Sequence, residues 1–317
     1  MNRVGIVVVT HNSEEVIGEC LTAATRLEAD IVVVDNASTD RTRDRVRDWP
    51  EVRLLAESRN TGFAAAANRG AGALGTELIL LLNPDAVIVT PLDPLIEAFQ
   101  SADVGAAGGR LVSPDGVAQL GFQVRRFPTV EALACEALGV NRLWPGNPVN
   151  RRYRCLDLNP DREADVEQPA GAFLMVRRAR WAELGGMDEG FWPLWFEEVD
   201  FLRRLHEHGS RVRYIPAAVA VHRGAHSAHQ LRRECRAAYW YASLLRYAAK
   251  HFSPRGWRTV CVAVAIGSLL RMVAGLLVER TRDPIPRYWS VVRMAGRCLL
   301  GGRRVAEGGL PAVTATG

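Results

Sequence analysis

The chain has 317 residues, 48% hydrophobic and 24% charged, an ordinary balance for a folded protein with room for one large domain or two smaller ones. Its net charge of +5 hides a split: residues 226–317 hold 15 Lys and Arg against 4 Asp and Glu (+11), and residues 1–225 hold 25 against 31 (−6). Six cysteines form no CxxC pair and no zinc-like spacing, which argues against a zinc-finger or thiol-redox protein and for a reduced, cytosolic chain.

Val4–Thr10 reads as a first strand, starting too early for a signal peptide, and none is expected. Ser13–Arg26 follows as a helix capped by Asn12 or Ser13. Ile31–Asp35 is a second strand, about Thr39–Asp48 a helix, and Val52–Ala56 a third strand. Gly62–Leu74 is a small-residue helix, and the small side chains of Ala64–Ala67 suit tight packing on a sheet. Leu78–Leu82 is short, continuous and apolar, and Pro84 halts it, so it reads as a fully buried strand. This alternation predicts a parallel sheet with helices on both faces. Residues 113–170 carry six prolines and read as loop-rich with short elements. Ala172–Arg177 resembles a strand, Phe196–His208 a helix, and from Ala237 the pattern is helical to about residue 300. The stretch from Gly301 reads as a loose tail.

Several polar residues fall at predicted strand exits, where open α/β sheets bind ligands. Asp85 follows the Leu78–Leu82 strand, next to Asn83. A carboxylate beside an amide suits a hard divalent cation carrying phosphate oxygens. Asp35 ends the second strand, where it either accepts the imide N–H of a uracil or thymine or belongs to the strand exit and helix cap. Asn60 and Gly62 suit a turn lining such a site. Glu197, Glu198 and Asp200 crowd three carboxylates into four positions after Trp192, Trp195 and Phe196. They are either a solvated helix start or carboxylates of raised pKa, fit to deprotonate an acceptor hydroxyl. His222, after an apolar run, is either structural or a partner of Asp85 at a metal. Neither GxGxxG nor a Walker loop follows the first strand, which argues against hydride transfer and P-loop chemistry. Thr10–Glu15 also lacks the glycine- and arginine-rich loop of a nucleotidyltransferase.

The strings VVVTHNS (7–13), VDNASTD (34–40), RNTGFAAAAN (59–68), LLLNPDA (80–86), GAFLMVRR (171–178), MDEGFWPLWFEEVDFLRR (187–204) and VHRGAHS (221–227), in this order, resemble glycosyltransferase family 2. Within it the chain is most similar to rhamnosyltransferase-type members that build bacterial cell-surface polysaccharide. The resemblance implies a GT-A α/β fold with a mostly parallel central sheet: a catalytic domain over 1–227 and a basic helical extension over 228–317. It implies an inverting transfer of a sugar from a dTDP- or UDP-sugar to a glycan or polyprenyl-diphosphate-linked acceptor. By position, Asp35 would hold the pyrimidine, with Thr10, Asn12 and Asn60 lining that pocket. Asp85 matches the last Asp of the family's DxD motif, and Asn83 stands where the first Asp would be, at the nucleotide. His222 matches a histidine near the metal, which would be Mg²⁺ or Mn²⁺. Glu198, of the Glu197-Glu198 pair, takes the position of the base.

The basic tail contains an apolar run, 259–278, interrupted by Arg271. Val262, Ile266, Leu269, Val273 and Leu276 form one stripe at helical spacing. Val264, Gly267, Ser268, Arg271 and Gly275 form another. With Arg255, Arg258, Arg280, Arg282 and Arg287 nearby, the run reads as an interfacial helix on anionic lipid, the alternative being a helix packed on protein. No nucleic-acid motif is present, so a nucleic-acid partner is not expected. The protein is expected in the cytoplasm, peripheral on the inner membrane.

Overall fold

The apolar runs of the first 82 residues become one flank of a nine-stranded sheet. This computed structural model describes residues 3–224, 233–279, 283–303 and 306. In chain order the elements are β1 (Val4–Thr10), α1 (Ile17–Ala24), β2 (Ala29–Asp35), α2 (Thr42–Arg47), β3 (Arg53–Ala56), α3 (Phe63–Gly72), β4 (Leu78–Leu82), β5 (Ala86–Ile88), α4 (Asp93–Ala98) and β6 (Val104–Val112). Then come β7 (Val124–Arg125), α5 (Val130–Leu138), α6 (Val140–Leu143), α7 (Pro148–Tyr153), β8 (Ala164–Asp165), β9 (Gln168–Pro169), β10 (Phe173–Arg177), α8 (Arg178–Glu183), α9 (Glu197–Glu207) and β11 (Arg211–His222). Three long helices follow: α10 (Arg233–His251), α11 (Pro254–Glu279) and α12 (Pro284–Gly301).

The strand order is β3-β2-β1-β4-β10-β6-β11-β5, with β8 beside β11. β1–β4 are parallel, as the β-α alternation predicts. β10 enters antiparallel between β4 and β6, and β5 and β8 run against β11. Six of the nine strands therefore share a direction. The pairing of Phe173 with Leu82 puts the start of β10 at the carboxyl end of β4. That of Ala86 with His222 puts the start of β5 at the end of β11. One rim of the sheet thus gathers the exits of β1, β2, β3, β4, β6 and β11.

Strand alternation assigns the two cores. Val4, Ile6, Val8, Leu78, Leu80 and Leu82 point to the face covered by Ile17, Cys20 and Leu21 of α1 and Leu95 of α4. Val7, Val9, Ile79 and Leu81 point to the other, against Ala64, Ala66 and Ala67 of α3 and Phe201, Leu202 and Leu205 of α9. α3 rides close to the sheet because it is built of small residues: a Cβ on Gly70 would meet Val7 Cγ1 at 2.5 Å.

The first of two units, Met1–Phe127, Arg154–Glu189 and Glu197–Gln230, holds the sheet with α1–α4, α8 and α9. The second, Pro128–Tyr153, Gly190–Phe196 and Leu231–Gly317, gathers α5–α7 and α10–α12. The stretch that reads as loop-rich supplies three short helices. Thr129 Oγ1 accepts the Ala132 N–H at 3.2 Å and starts α5, and Gly139, at φ 79°, ends it. In the second unit α11 packs against α5 and α12, and α10 against both α11 and α12.

Candidate active site

At the rim formed by β1, β2 and β3, four of the five predicted nucleotide-binding residues, Thr10, Asn12, Asp35 and Asn60, form one hydrogen-bonded cluster, and Asn83 lies apart at the β4 exit. Asp35 is fully buried, and all four lone-pair positions of its carboxylate have donors. Oδ1 accepts from Thr10 Oγ1 at 3.1 Å and from the Ser38 hydroxyl. Oδ2 accepts from the Ser38 N–H at 3.1 Å and from Arg43 Nε at 2.5 Å. A base imide reaching Asp35 would have to replace one of these donors, and the Arg43 side chain is 32% exposed. Asn12, at φ 50°, accepts the Thr39 N–H through Oδ1 at 2.8 Å. Asn60 Oδ1 accepts from the Gly62 N–H at 2.9 Å, at the start of α3, and from Asn36 Nδ2 at 3.0 Å. Asn36, buried, also accepts the Thr61 N–H at 2.8 Å and so ties the β2 exit to the β3 exit. Arg43 and Asn36 escape sequence reading because only the folded loops bring them to Asp35 and Asn60.

The β4 exit carries a second cluster. Asn83 and Asp85 lie in a tight turn closed by the Ala86 N–H to the Asn83 carbonyl, 3.0 Å, which leads straight into β5. Because Ala86 pairs with His222, this turn delivers Asp85 to the end of β11. His222 Nε2 stands 3.5 Å from Asp85 Oδ1, with both side chains 3% exposed or less. Burial pushes the imidazole pKa below its ordinary value, and the Asp85 charge only partly offsets this. A carboxylate and an imidazole nitrogen aimed at one gap, too far apart for a good direct hydrogen bond, are a donor set that fits Mg²⁺ or Mn²⁺. Among the described residues, no group of three or more His, Cys, Asp or Glu converges. Two partners of His222 were not foreseen. Gln119 bonds it twice, and Phe122 stacks on its ring at 5.1 Å and 10°.

The three carboxylates at the start of α9 separate into distinct environments. Asp200 is fully buried and pairs with Arg204 Nε at 2.9 Å, whose guanidinium also binds the carbonyls of Leu184 and Gly186 at 2.8 Å each. That makes Asp200 a structural brace. Glu197 is 5% exposed, and its Oε2 has no hydrogen-bond partner among the described residues. Burial first, and then the neighbouring Glu198 charge, push its pKa well above the ordinary glutamate value, which favours the neutral acid. Glu198 is partly exposed. Burial raises its pKa too, while helix N–H groups and the Arg125 charge hold the rise back. Gly171, two residues before β10, is its neighbour: a Cβ there would lie at contact distance, 3.4 Å, from Glu198 Cβ and Cγ. Since β10 starts at the β4 exit, Glu198 lies on the same rim as Asp85. Just ahead, Trp195 and Phe196 both hold left-handed backbone, φ 80° and 72°, which costs large L-residues about 1–2 kcal/mol each.

Residues 5–155 match the family model "Glycosyl transferase family 2". The N-acetylglucosaminyl-diphospho-decaprenol L-rhamnosyltransferase of Mycobacterium tuberculosis is 30% identical over 281 residues, covering 83% of this chain and 89% of that protein. The rhamnosyltransferase WbbL of Escherichia coli is 27% identical over 154 residues, 47% of this chain and 53% of that one. Among solved structures, the mannosyltransferase PcManGT of Pyrobaculum calidifontis, in complex with GDP-Man and Mn²⁺, aligns with TM-score 0.53 at 18% identity, covering 94% of this chain and 87% of that one. TarS 1-349 of S. aureus, in complex with UDP-GlcNAc, aligns with TM-score 0.52 at 14% identity, covering 96% and 90%. The α/β sheet with its helical C-terminal region is the GT-A fold, and the chain belongs to glycosyl transferase family 2.

Proposed function

We propose that the protein is an inverting glycosyltransferase that moves a sugar, L-rhamnose, from its dTDP- or UDP-activated form to a hydroxyl of a polyprenyl-diphosphate-linked glycan in bacterial cell-surface polysaccharide synthesis. The observation that carries this is the rim, where a hydrogen-bonded polar cluster, a metal-fitting pair and a partly exposed carboxylate of raised pKa all lie at the strand exits. The M. tuberculosis relative, named for L-rhamnose and a decaprenol-linked acceptor, supports the donor sugar and the acceptor class.

Asp85 and His222 would hold a divalent metal, with Asn83 beside them at the nucleotide. Bound there, the metal would neutralise the diphosphate leaving group. Thr10, Asn12, Asp35 and Asn60 would line the base and ribose pocket, with Arg43 giving way at Asp35. Glu198 takes the proton of the acceptor hydroxyl. The freed oxygen bonds to the anomeric carbon as the carbon–diphosphate bond breaks, and that electron pair leaves with the nucleoside diphosphate. One base and one displacement invert the anomeric centre.

The helical unit supports membrane contact. Fourteen of the eighteen large exposed hydrophobics among the described residues belong to it. On α11, Val262, Ile266, Leu269, Leu270, Val273, Leu277 and Val278 are exposed, whereas Val264, Gly267 and Ser268 are buried. Residues 254–278 include an 18-residue window of mean hydropathy 2.2 and are long and apolar enough to cross a membrane, but one side is already used for packing. Arg271 lies on that used side, donating to the carbonyls of Glu136 at 2.9 Å, Gly267 at 3.1 Å and Ala137. The exposed stripe is therefore free of charge from Val262 to Val278 and basic at one end, where Arg255 and Arg258 are exposed. That pattern fits a helix lying in the anionic cytoplasmic leaflet, close to a lipid-linked acceptor. A thermal-shift screen of nucleotide sugars with Mn²⁺ tests the donor: dTDP- or UDP-rhamnose should raise the midpoint most, and a response to purine nucleotides alone would overturn the pyrimidine reading.

A further inference from the structure

The hairpin after β6 brings one uncharged side chain to the Asp85–His222 pair. Residues 113–117 form its turn, with the Ser113 N–H to Val117 carbonyl bond at 2.9 Å and Gly116 at φ 82°. Ala118 then bridges back to Val112, the β6 residue that pairs with Val221. Gln119 is thereby placed beside the end of β11.

Its two hydrogen bonds fix a proton. Gln119 Nε2 lies 2.7 Å from the His222 carbonyl oxygen. A carbonyl only accepts, so the amide NH₂ must face it, and this settles which way the amide points. The Gln119 oxygen is then the atom 3.0 Å from His222 Nδ1. An amide oxygen also only accepts, so Nδ1 carries the hydrogen. In the neutral ring Nε2 is left with its lone pair, aimed at Asp85 Oδ1 3.5 Å away. Two acceptors facing each other in a buried gap repel unless a cation lies between them. Phe122, stacked parallel on the ring, keeps its plane in that orientation.

We propose that Gln119 is a positioning residue that locks His222 in the Nδ1–H tautomer, so that its Nε2 lone pair is presented with Asp85 to a divalent cation. This rests on reading Asp85 and His222 as metal ligands. Partners of this kind on a ligating histidine typically change metal affinity by about 10–100-fold. Gln119→Ala removes both bonds and frees His222 to turn its proton toward Asp85. Gln119→Glu loses the bond to the carbonyl but keeps an acceptor at Nδ1.

The test uses full-length, metal-free protein labelled with ¹⁵N-histidine. Long-range ¹H–¹⁵N correlation reads the His222 tautomer, assigned by the signal lost in His222→Asn. Mn²⁺ titration by calorimetry reads affinity, and circular dichroism establishes that each variant is folded. Wild type should show Nδ1–H. Gln119→Ala should shift toward Nε2–H and bind Mn²⁺ about 10–100-fold more weakly. Gln119→Glu should keep the tautomer and most of the affinity. Wild-type His222 as Nε2–H, or a folded Gln119→Ala with unchanged tautomer and affinity, would overturn the role of Gln119 even if Mn²⁺ binds. A wild-type Nδ1–H ring in a protein that binds no Mn²⁺ would instead overturn the metal-ligand reading, and with it the cation part of the proposal.

Discussion

Replacing Glu198 by Gln keeps the side chain's size and removes its ability to take a proton. The structure gives reasons to expect a clean result. Glu198 is partly exposed, and it rests against Gly171 through Cβ and Cγ, which the substitution leaves alone. The folding load at this helix start falls on Asp200, fully buried and bonded to Arg204. A positioned general base contributes about 10²–10⁴ in rate. At about 1.36 kcal/mol per tenfold, the lost transition-state stabilisation is about 2.7–5.5 kcal/mol. The assay is nucleoside diphosphate release at saturating donor and acceptor, with thermal unfolding followed alongside. Turnover should fall by that factor while the midpoint stays close to wild type. A pH series adds a signature. Burial raises the Glu198 pKa, so wild-type kcat/KM should fall as pH drops through a value above that of an ordinary glutamate, and this limb should vanish in the variant. Near wild-type turnover in Glu198→Gln would refute the assignment of the base.

Glu197→Gln should behave in the opposite way, retaining most activity because Glu197 is buried while Glu198 is the partly exposed carboxylate of the pair. Its folded pKa is raised, so its stabilisation is complete below the unfolded carboxylate value of about 4.3 and is lost as pH rises through the folded pKa. The variant should therefore match or exceed the wild-type melting temperature at pH 8, and a large loss there would contradict the burial argument. Asp85→Asn should abolish metal-dependent nucleotide binding in a calorimetric titration, and unchanged affinity would count against the metal pair. Arg271→Leu makes α11 more apolar yet should destabilise the protein by about 1–3 kcal/mol, through carbonyls left without their charged donor; higher stability would mean that Arg271 faces away from α5. Ile266→Glu with Leu270→Glu should release the protein from anionic vesicles in a flotation assay, and undiminished flotation would remove the stripe from the contact.

The β-α alternation and the strand exits were legible because they depend on local rules. A continuous apolar run such as Leu78–Leu82 can only be buried on both faces, and Pro84 can only end it. The two stripes of α11 were legible from helical spacing alone. The helices of 128–153 were not: proline density reads as loop, and α5 depends on one cap, Thr129, and one stop, Gly139. The position of β10 was hidden because an antiparallel insertion leaves no trace in the order of elements. Within the site, charged residues announced themselves, while the neutral groups that orient them did not. Gln119 and Phe122 reach His222 only through a hairpin and a β6–β11 register. Asp35 was visible as a strand-exit carboxylate, but not the four donors that already fill it.

Transfer itself is the most direct measurement. Full-length protein incubated with Mn²⁺, dTDP- or UDP-L-rhamnose and a polyprenyl-diphosphate N-acetylglucosamine acceptor should release nucleoside diphosphate and form rhamnosyl glycolipid in equal amounts. The anomeric centre of the product, read by NMR, should be inverted relative to the donor. Nucleotide release without glycolipid, or a retained anomer, would contradict single displacement driven by Glu198.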